Sequence, residues 1–134
     1  MKPFPTLVAT LALIGAGNMA LADDARWRDC RTCHAVETPD GTVLARGGRS
    51  APNLYGIANR PLAGDRDFGF YSADLRAAGQ TGARWSEDNF VAYLTQPDQF
   101  LRSVTGNPDA ESGMHVELRS GARELFQWLQ SLSD

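Results

Sequence analysis

The sequence predicts an all-α domain of short helices joined by long loops. Three observations predict it. Capping residues stand ahead of apolar stripes of helical period. Glycines and prolines interrupt those stripes early. No segment alternates apolar and polar residues as a half-buried strand does. The chain has 134 residues, which bounds it to one domain.

The elements follow in order. Asp23 and Asp24 suit the N-terminus of a helix running to Cys33, with Trp27 one turn before Cys30. Residues 38–51 form a loop rich in Gly and Arg. Pro52-Asn53-Leu54-Tyr55-Gly56 reads as a turn into a short helix. Ser72 caps a helix that Gly79 ends. Ser86 is a second N-cap, with Glu87 and Asp88 in the first turn, Phe90, Val91 and Leu94 behind it, and Pro97 as the stop. Ser120 caps the last helix, where Leu125, Trp128, Leu129 and Leu132 make one apolar stripe. Repeats and low-complexity segments are absent.

Residues 1–22 are set apart from this domain. Met1-Lys2 is a short basic start, residues 7–17 are apolar or small, and Ala20-Leu21-Ala22 is an A-x-A cleavage pattern. The apolar run falls short of the roughly 20 residues that span a bilayer. Residues 1–22 are therefore expected to be a cleaved secretory signal, leaving a soluble, exported domain at 23–134. No later segment is apolar enough to span a membrane. Losing Lys2, the only lysine, takes the net charge from −3 to −4. That balance argues against nucleic acid, whose binders carry a basic surplus.

The two cysteines, Cys30 and Cys33, stand directly before His34. Three readings compete. A redox C-x-x-C disulfide expects a βαβ neighbourhood, and none is evident. Zinc needs about four ligands, whereas the mature chain offers two Cys and two His. C-x-x-C-H is also the attachment motif for haem c, one covalent haem per motif. Cysteines one helical turn apart can bond both vinyl groups of one porphyrin, and the next residue presents an imidazole to the iron. The export signal and the lack of any other cysteine favour this reading.

The sixth iron ligand is then sought among few residues. With Met1 and Met19 in the leader, Met114 is the only mature thioether, and it follows a polar Gly/Pro/Asp stretch rather than lying on an apolar helix face. Core filling is the commoner use of methionine. His115, next along, is the rival ligand. A Met/His pair raises the potential and suits an electron carrier. His34 and Met114 are thus the expected iron ligands.

Five ordered blocks now carry a resemblance: Trp27-x-x-Cys30-x-x-Cys33-His34; Ala51 to Gly56; Trp85 with Tyr93, Leu94 and Pro97; Ser112-Gly113-Met114; and the helix from Glu124 to Leu132. The chain resembles the class I c-type cytochromes, most of all their cytochrome c2 subgroup, over nearly all of residues 23–134. The resemblance implies an all-α cytochrome c fold wrapped around one haem. It implies His34 and Met114 as axial ligands and Pro52 as the carbonyl that accepts the far ring N–H of His34. Arg60, Tyr71 and Trp85 match residues that hold haem propionates, since a buried charge without partners is costly. Tyr93 matches the tyrosine beside the ligating sulfur. Trp27 and Trp128 match the aromatics where the first and last helices cross. Those five aromatics would also serve as ordinary core.

One departure bears on partners. Members of this family usually carry lysines round the exposed haem edge. Here the stretch before Met114 is Gly106-Asn107-Pro108-Asp109-Ala110-Glu111, which is acidic, and the domain holds no lysine. Arg28, Arg31, Arg46, Arg49 and Arg102 are left as candidates for a reduced basic docking patch. The expected protein is a monomeric periplasmic carrier, not an enzyme, moving single electrons between periplasmic or membrane-bound redox proteins. Two alternatives are a dedicated haem subunit of a periplasmic dehydrogenase and a haem peroxidase or ligand-binding protein.

Overall fold

Trp27 anchors the N-terminal segment because its indole must be both buried and hydrogen-bonded. In the computed structural model, which describes residues 25–134, this side chain is fully buried. Its Nε1–H donates to the Arg46 carbonyl at 2.8 Å. Its ring lies 5.8 Å from that of Trp128, tilted by 49°. The expected leader lies outside the described residues. The expected first helix is only a 3₁₀ turn over Ala25–Trp27, followed by further turns to Cys33. Its first-turn acids, Asp23 and Asp24, are likewise outside the described residues.

Trp27→Ala is expected to cost about 3–5 kcal/mol. Trp27→Phe keeps most of the packing but loses the bond to Arg46, and should cost nearer 1 kcal/mol from that bond. Urea unfolding of the three proteins measures both values.

Four helices follow: α1 (Ala73–Gln80), α2 (Glu87–Thr95), α3 (Pro97–Thr105) and α4 (Ala122–Ser131). A two-stranded antiparallel ribbon, β1 (Val36–Glu37) with β2 (Val43–Ala45), precedes them, pairing Val36 with Ala45. Strands this short show no alternation, so the sequence gives no sign of them. α4 packs chiefly on α2, and α3 packs on α1 and α2. Phe90, Leu101, Leu125, Phe126 and Leu129 fill the space between. Among the described residues no helix is long and apolar enough to cross a membrane.

The helix starts at Ser72 and Ser86 are as expected. Ser72 Oγ accepts from the Leu75 N–H at 3.1 Å, and Ser86 Oγ from the Asn89 N–H at 3.2 Å. Other boundaries differ. Gly79 does not end α1, which continues through Gln80. A Cβ at Gly79 would lie 2.2 Å from the Leu62 carbonyl oxygen, so this glycine serves a close approach of the neighbouring chain. Residues 52–56 form turns and no helix. Ser120 is not the last N-cap. Gly121 occupies that position at φ +84°, without a side-chain cap bond.

Pro97 stops α2 and also opens α3 at its first turn, where a missing N–H costs nothing. Gln96 between them leaves the helical region, at φ −146° and ψ 80°, as the residue before a proline is pushed to do. Pro97, Phe100, Leu101 and Val104 fall at i, i+3, i+4 and i+7, the stripe that marks this helix in the sequence.

Candidate functional site

The backbone winds helically through Cys30 and Cys33, with the His34 N–H donating to the Cys30 carbonyl at 2.9 Å. A second segment is strapped alongside it in the same chain direction. The N–H groups of Gly48, Ala51 and Leu54 donate to the carbonyls of Arg31, Cys33 and Ala35, at 2.9, 3.0 and 3.0 Å. This strap reaches contact distance only because two residues in it have no side chain. A Cβ on Gly47 would lie 1.6 Å from the His34 oxygen, and one on Gly48 would lie 2.3 Å from the Thr32 oxygen.

The strap delivers Pro52 to His34. Nδ1 of His34 lies 2.7 Å from the Pro52 carbonyl oxygen. A carbonyl can only accept, so Nδ1 carries the proton and Nε2 keeps its lone pair. Burial holds the imidazole pKa below its ordinary value, more than the Pro52 bond raises it. The ring is neutral at neutral pH, the form that binds a metal.

The cysteines are not joined to each other. Burial, with the charge of Asp29 adding to it, pushes the Cys30 thiol up to about 11. A reactive redox cysteine or a zinc ligand needs the opposite shift, toward thiolate. Among the described residues no group of three or more His, Cys, Asp or Glu side chains could hold a metal on its own. Zinc and thiol-exchange chemistry therefore lack support at these positions.

All nine predicted site residues line one cavity of about 430 Å³: Cys30, Cys33, His34, Pro52, Arg60, Tyr71, Trp85, Tyr93 and Met114. They come from the N-terminal turns, the strap, the segments flanking α1, α2 and the loop between α3 and α4. The remaining wall is largely apolar, with Leu54, Ile57, Leu75, Phe90, Leu94 and Leu125. Two thiols, a free imidazole lone pair and a thioether within an apolar cleft fit a haem c. The chain would hold it through Cys30, Cys33, His34 and Met114, and the haem would supply reversible one-electron chemistry at iron. A larger, polar concavity of about 560 Å³ lies beyond Arg60 and Phe68, but holds none of those four side chains.

The polar side of the cavity is built by backbone pairing. The N–H groups of Asn59 and Trp85 exchange bonds with the carbonyls of Trp85 and Arg60 at 2.9 and 2.8 Å. That sets Trp85 beside Arg60, although 25 residues separate them. Arg60 donates to the carbonyl of Asn53 at 2.9 Å and to that of Tyr55. It is thus already anchored, with further N–H groups on its guanidinium. Tyr71 Oη accepts from the Asp65 N–H at 3.0 Å, and burial raises its phenol pKa.

Tyr93 on α2 is buried, and burial drives its pKa up to about 12 against the opposing hydrogen bond with Ser112. Met114 sits after a tight turn in which Gly113 has φ +76°. His115 lines the same cavity but is exposed at the surface.

Sequence reasoning missed Phe68 and Phe70. Both line the cavity, their rings 6.0 Å apart, and Phe70 is 88% exposed. The signal was an aromatic run, Phe68-Gly69-Phe70-Tyr71, within a Gly/Asp loop. Two arginines of the predicted patch, both at the surface, have partners within the chain. Arg49 is paired with Glu37 at 2.7 Å, and Arg102 Nε donates to the Ala110 carbonyl at 3.2 Å. Arg28, Arg31 and Arg46 remain exposed.

The sequence and the fold have counterparts among known proteins, although no family model matches the chain. Cytochrome c-551 of Roseobacter denitrificans is 41% identical over 84% of this chain and 79% of its own. Cytochrome c2 of Rhodobacter capsulatus is 31% identical, over 92% of this chain and 93% of its own. The solved structure of that cytochrome c2 superposes with a TM-score of 0.78 at 30% identity, covering 82% of this chain and 94% of that one. Cytochrome c-550 from Paracoccus versutus gives 0.77 at 29% identity, over 82% and 93%.

Proposed function

Because the chain belongs to the class I c-type cytochromes, in the cytochrome c2 subgroup, we propose that it is an exported electron carrier whose one haem is held by Cys30, Cys33, His34 and Met114. Electron transfer with one covalent haem c is the family's chemistry, and the protein is a carrier rather than an enzyme. The observation that carries the residue assignment is the single cavity in which those four side chains meet, with the Nε2 lone pair of His34 left free by Pro52.

The polypeptide has three tasks toward the haem. The apolar wall excludes water and sets the potential. Arg60, Tyr71 and Trp85 offer N–H and O–H groups on the polar side, suited to propionates. Met114 would hold the haem iron from the loop between α3 and α4, which would favour outer-sphere electron transfer over ligand binding. Cleavage after Ala22 and a periplasmic site of action belong to this proposal, as does a monomeric domain over 23–134. Redox titration of the purified holoprotein, with oxidised and reduced spectra, tests the core of it. A spectrum without haem c, or a freely ligand-binding ferrous form, would overturn the proposal.

The docking surface follows from charge. With Arg49 paired with Glu37, no lysine in residues 23–134 and acidic side chains outnumbering the arginines, the field that would steer an acidic partner is weak. The rate of electron transfer to an acidic partner is expected to depend weakly, or inversely, on added salt. Stopped-flow measurements across ionic strength check this, and a steep slowing would contradict it.

A further inference from the structure

The loop from Gly106 to Gly121 carries Met114 without any regular secondary structure of its own. Its backbone N–H groups therefore need partners elsewhere. Two of them, just before Met114, find carboxylates. The Ser112 N–H donates to Asp98 Oδ1 at 2.8 Å, and the Glu111 N–H donates to Asp74 Oδ2 at 2.9 Å. Asp98 lies in the first turn of α3 and Asp74 in the first turn of α1. Both sit where the helix dipole favours a negative charge.

Asp98 could have capped its own helix. Instead α3 has no side-chain cap bond at its N-terminus, and this carboxylate turns to the loop. Ser112, which it holds, is buried. The Ser112 hydroxyl accepts from the Met114 N–H at 3.0 Å and donates to the Met114 carbonyl at 2.9 Å, clipping the turn from both sides. The charge of Asp98 is also felt by Tyr93, which hydrogen-bonds Ser112. The chain of contacts runs from Asp98 to the Ser112 backbone, to the Ser112 hydroxyl, to the Met114 backbone.

We propose that Asp98, assisted by Asp74, is a positioning residue that latches the Met114 loop shut and so sets how firmly the sixth iron ligand is held. The proposal rests on the assignment of Met114 as that ligand. A charge-assisted bond to a buried backbone N–H is stronger than a neutral one. It has no counterpart once the loop swings away. Removing it shifts the balance toward an open loop, and an external ligand that needs the open form gains apparent affinity by the same factor.

Imidazole binding to the ferric holoprotein tests this. Asp98→Ala is expected to tighten imidazole binding by about tenfold. Asp74→Ala should act in the same direction by less, because its site is more exposed. Asp98→Asn keeps an oxygen for the Ser112 N–H but lacks the charge, and should fall between wild type and Asp98→Ala. It also serves if Asp98→Ala does not fold. Asp88→Ala, which removes another first-turn carboxylate paired with Arg123, should leave imidazole affinity unchanged.

The sulfur-to-iron charge-transfer band separates the two layers of the argument. It should be present in wild type and absent in Met114→Ala. A band that survives Met114→Ala would end the ligand assignment, and the latch with it. A band that is lost in Met114→Ala, with imidazole affinity unchanged in folded Asp98→Ala or Asp98→Asn, would leave the assignment standing and overturn the latch alone.

Discussion

Gly47→Ala is expected to yield almost no haem-loaded protein. The added Cβ would lie 1.6 Å from the His34 oxygen, 2.7 Å from its carbonyl carbon and 2.8 Å from the Arg31 oxygen. These are backbone atoms of the haem attachment turn, held by hydrogen bonds, so no flexible side chain can move aside. Relief requires the strap to lift. That would break the bonds from Gly48 to Arg31 and from Ala51 to Cys33, and withdraw Pro52 from His34. The cost should exceed about 4 kcal/mol, a large part of a typical total of about 5–15 kcal/mol.

A control separates space from backbone conformation. Gly82 has φ +86° and open space around its missing Cβ, so Gly82→Ala meets only conformational strain. It should cost about 1–2 kcal/mol and leave haem content intact. Haem absorbance per unit of purified polypeptide, with urea midpoints, measures both. Normal haem loading in Gly47→Ala would show that the strap is not needed to present His34.

Replacing Met114 has the second large effect, and it falls on chemistry rather than folding. Met114→Ala is expected to lower the potential, because a thioether opposite histidine raises it. The drop should be a substantial part of the roughly 0.8 V that axial ligands command. His115 complicates the outcome, since it lines the same cavity and is exposed at the surface. It can supply an imidazole where the sulfur was. The ferrous single variant should then bind carbon monoxide slowly. Met114→Ala combined with His115→Ala should bind it rapidly. Carbon monoxide binding to ferrous wild type at the rate of the double variant would contradict a closed sixth position.

Much of this site was legible in the order of residues. Cys30, Cys33 and His34 are neighbours in the chain, so their joint chemistry survives any uncertainty about the fold. Met114 stood out as the only thioether beyond residue 22, and it lines the cavity. The resemblance placed Pro52, Arg60, Tyr71, Trp85 and Tyr93, and all of them line the cavity. Ser72 and Ser86 were legible as caps because a cap bond spans three residues.

Errors arose where a residue's reason lies far away in the chain. Gly79 looked like a helix end, but it answers to the Leu62 carbonyl. Pro97 is a different case: it looked only like a stop, although the local stripe from Pro97 to Val104 marks the helix that it opens.

The cytochrome motif and its ligand types were therefore present in local covalent order, where chemistry depends on a few adjacent side chains. The strap through Gly47, the pairing of Trp85 with Arg60 and the hold of Asp98 on Ser112 were not. Each is an approach of backbone to backbone, or of carboxylate to backbone, across a long loop. Such approaches leave little periodic trace, because a single missing Cβ or one acidic side chain is enough to make them.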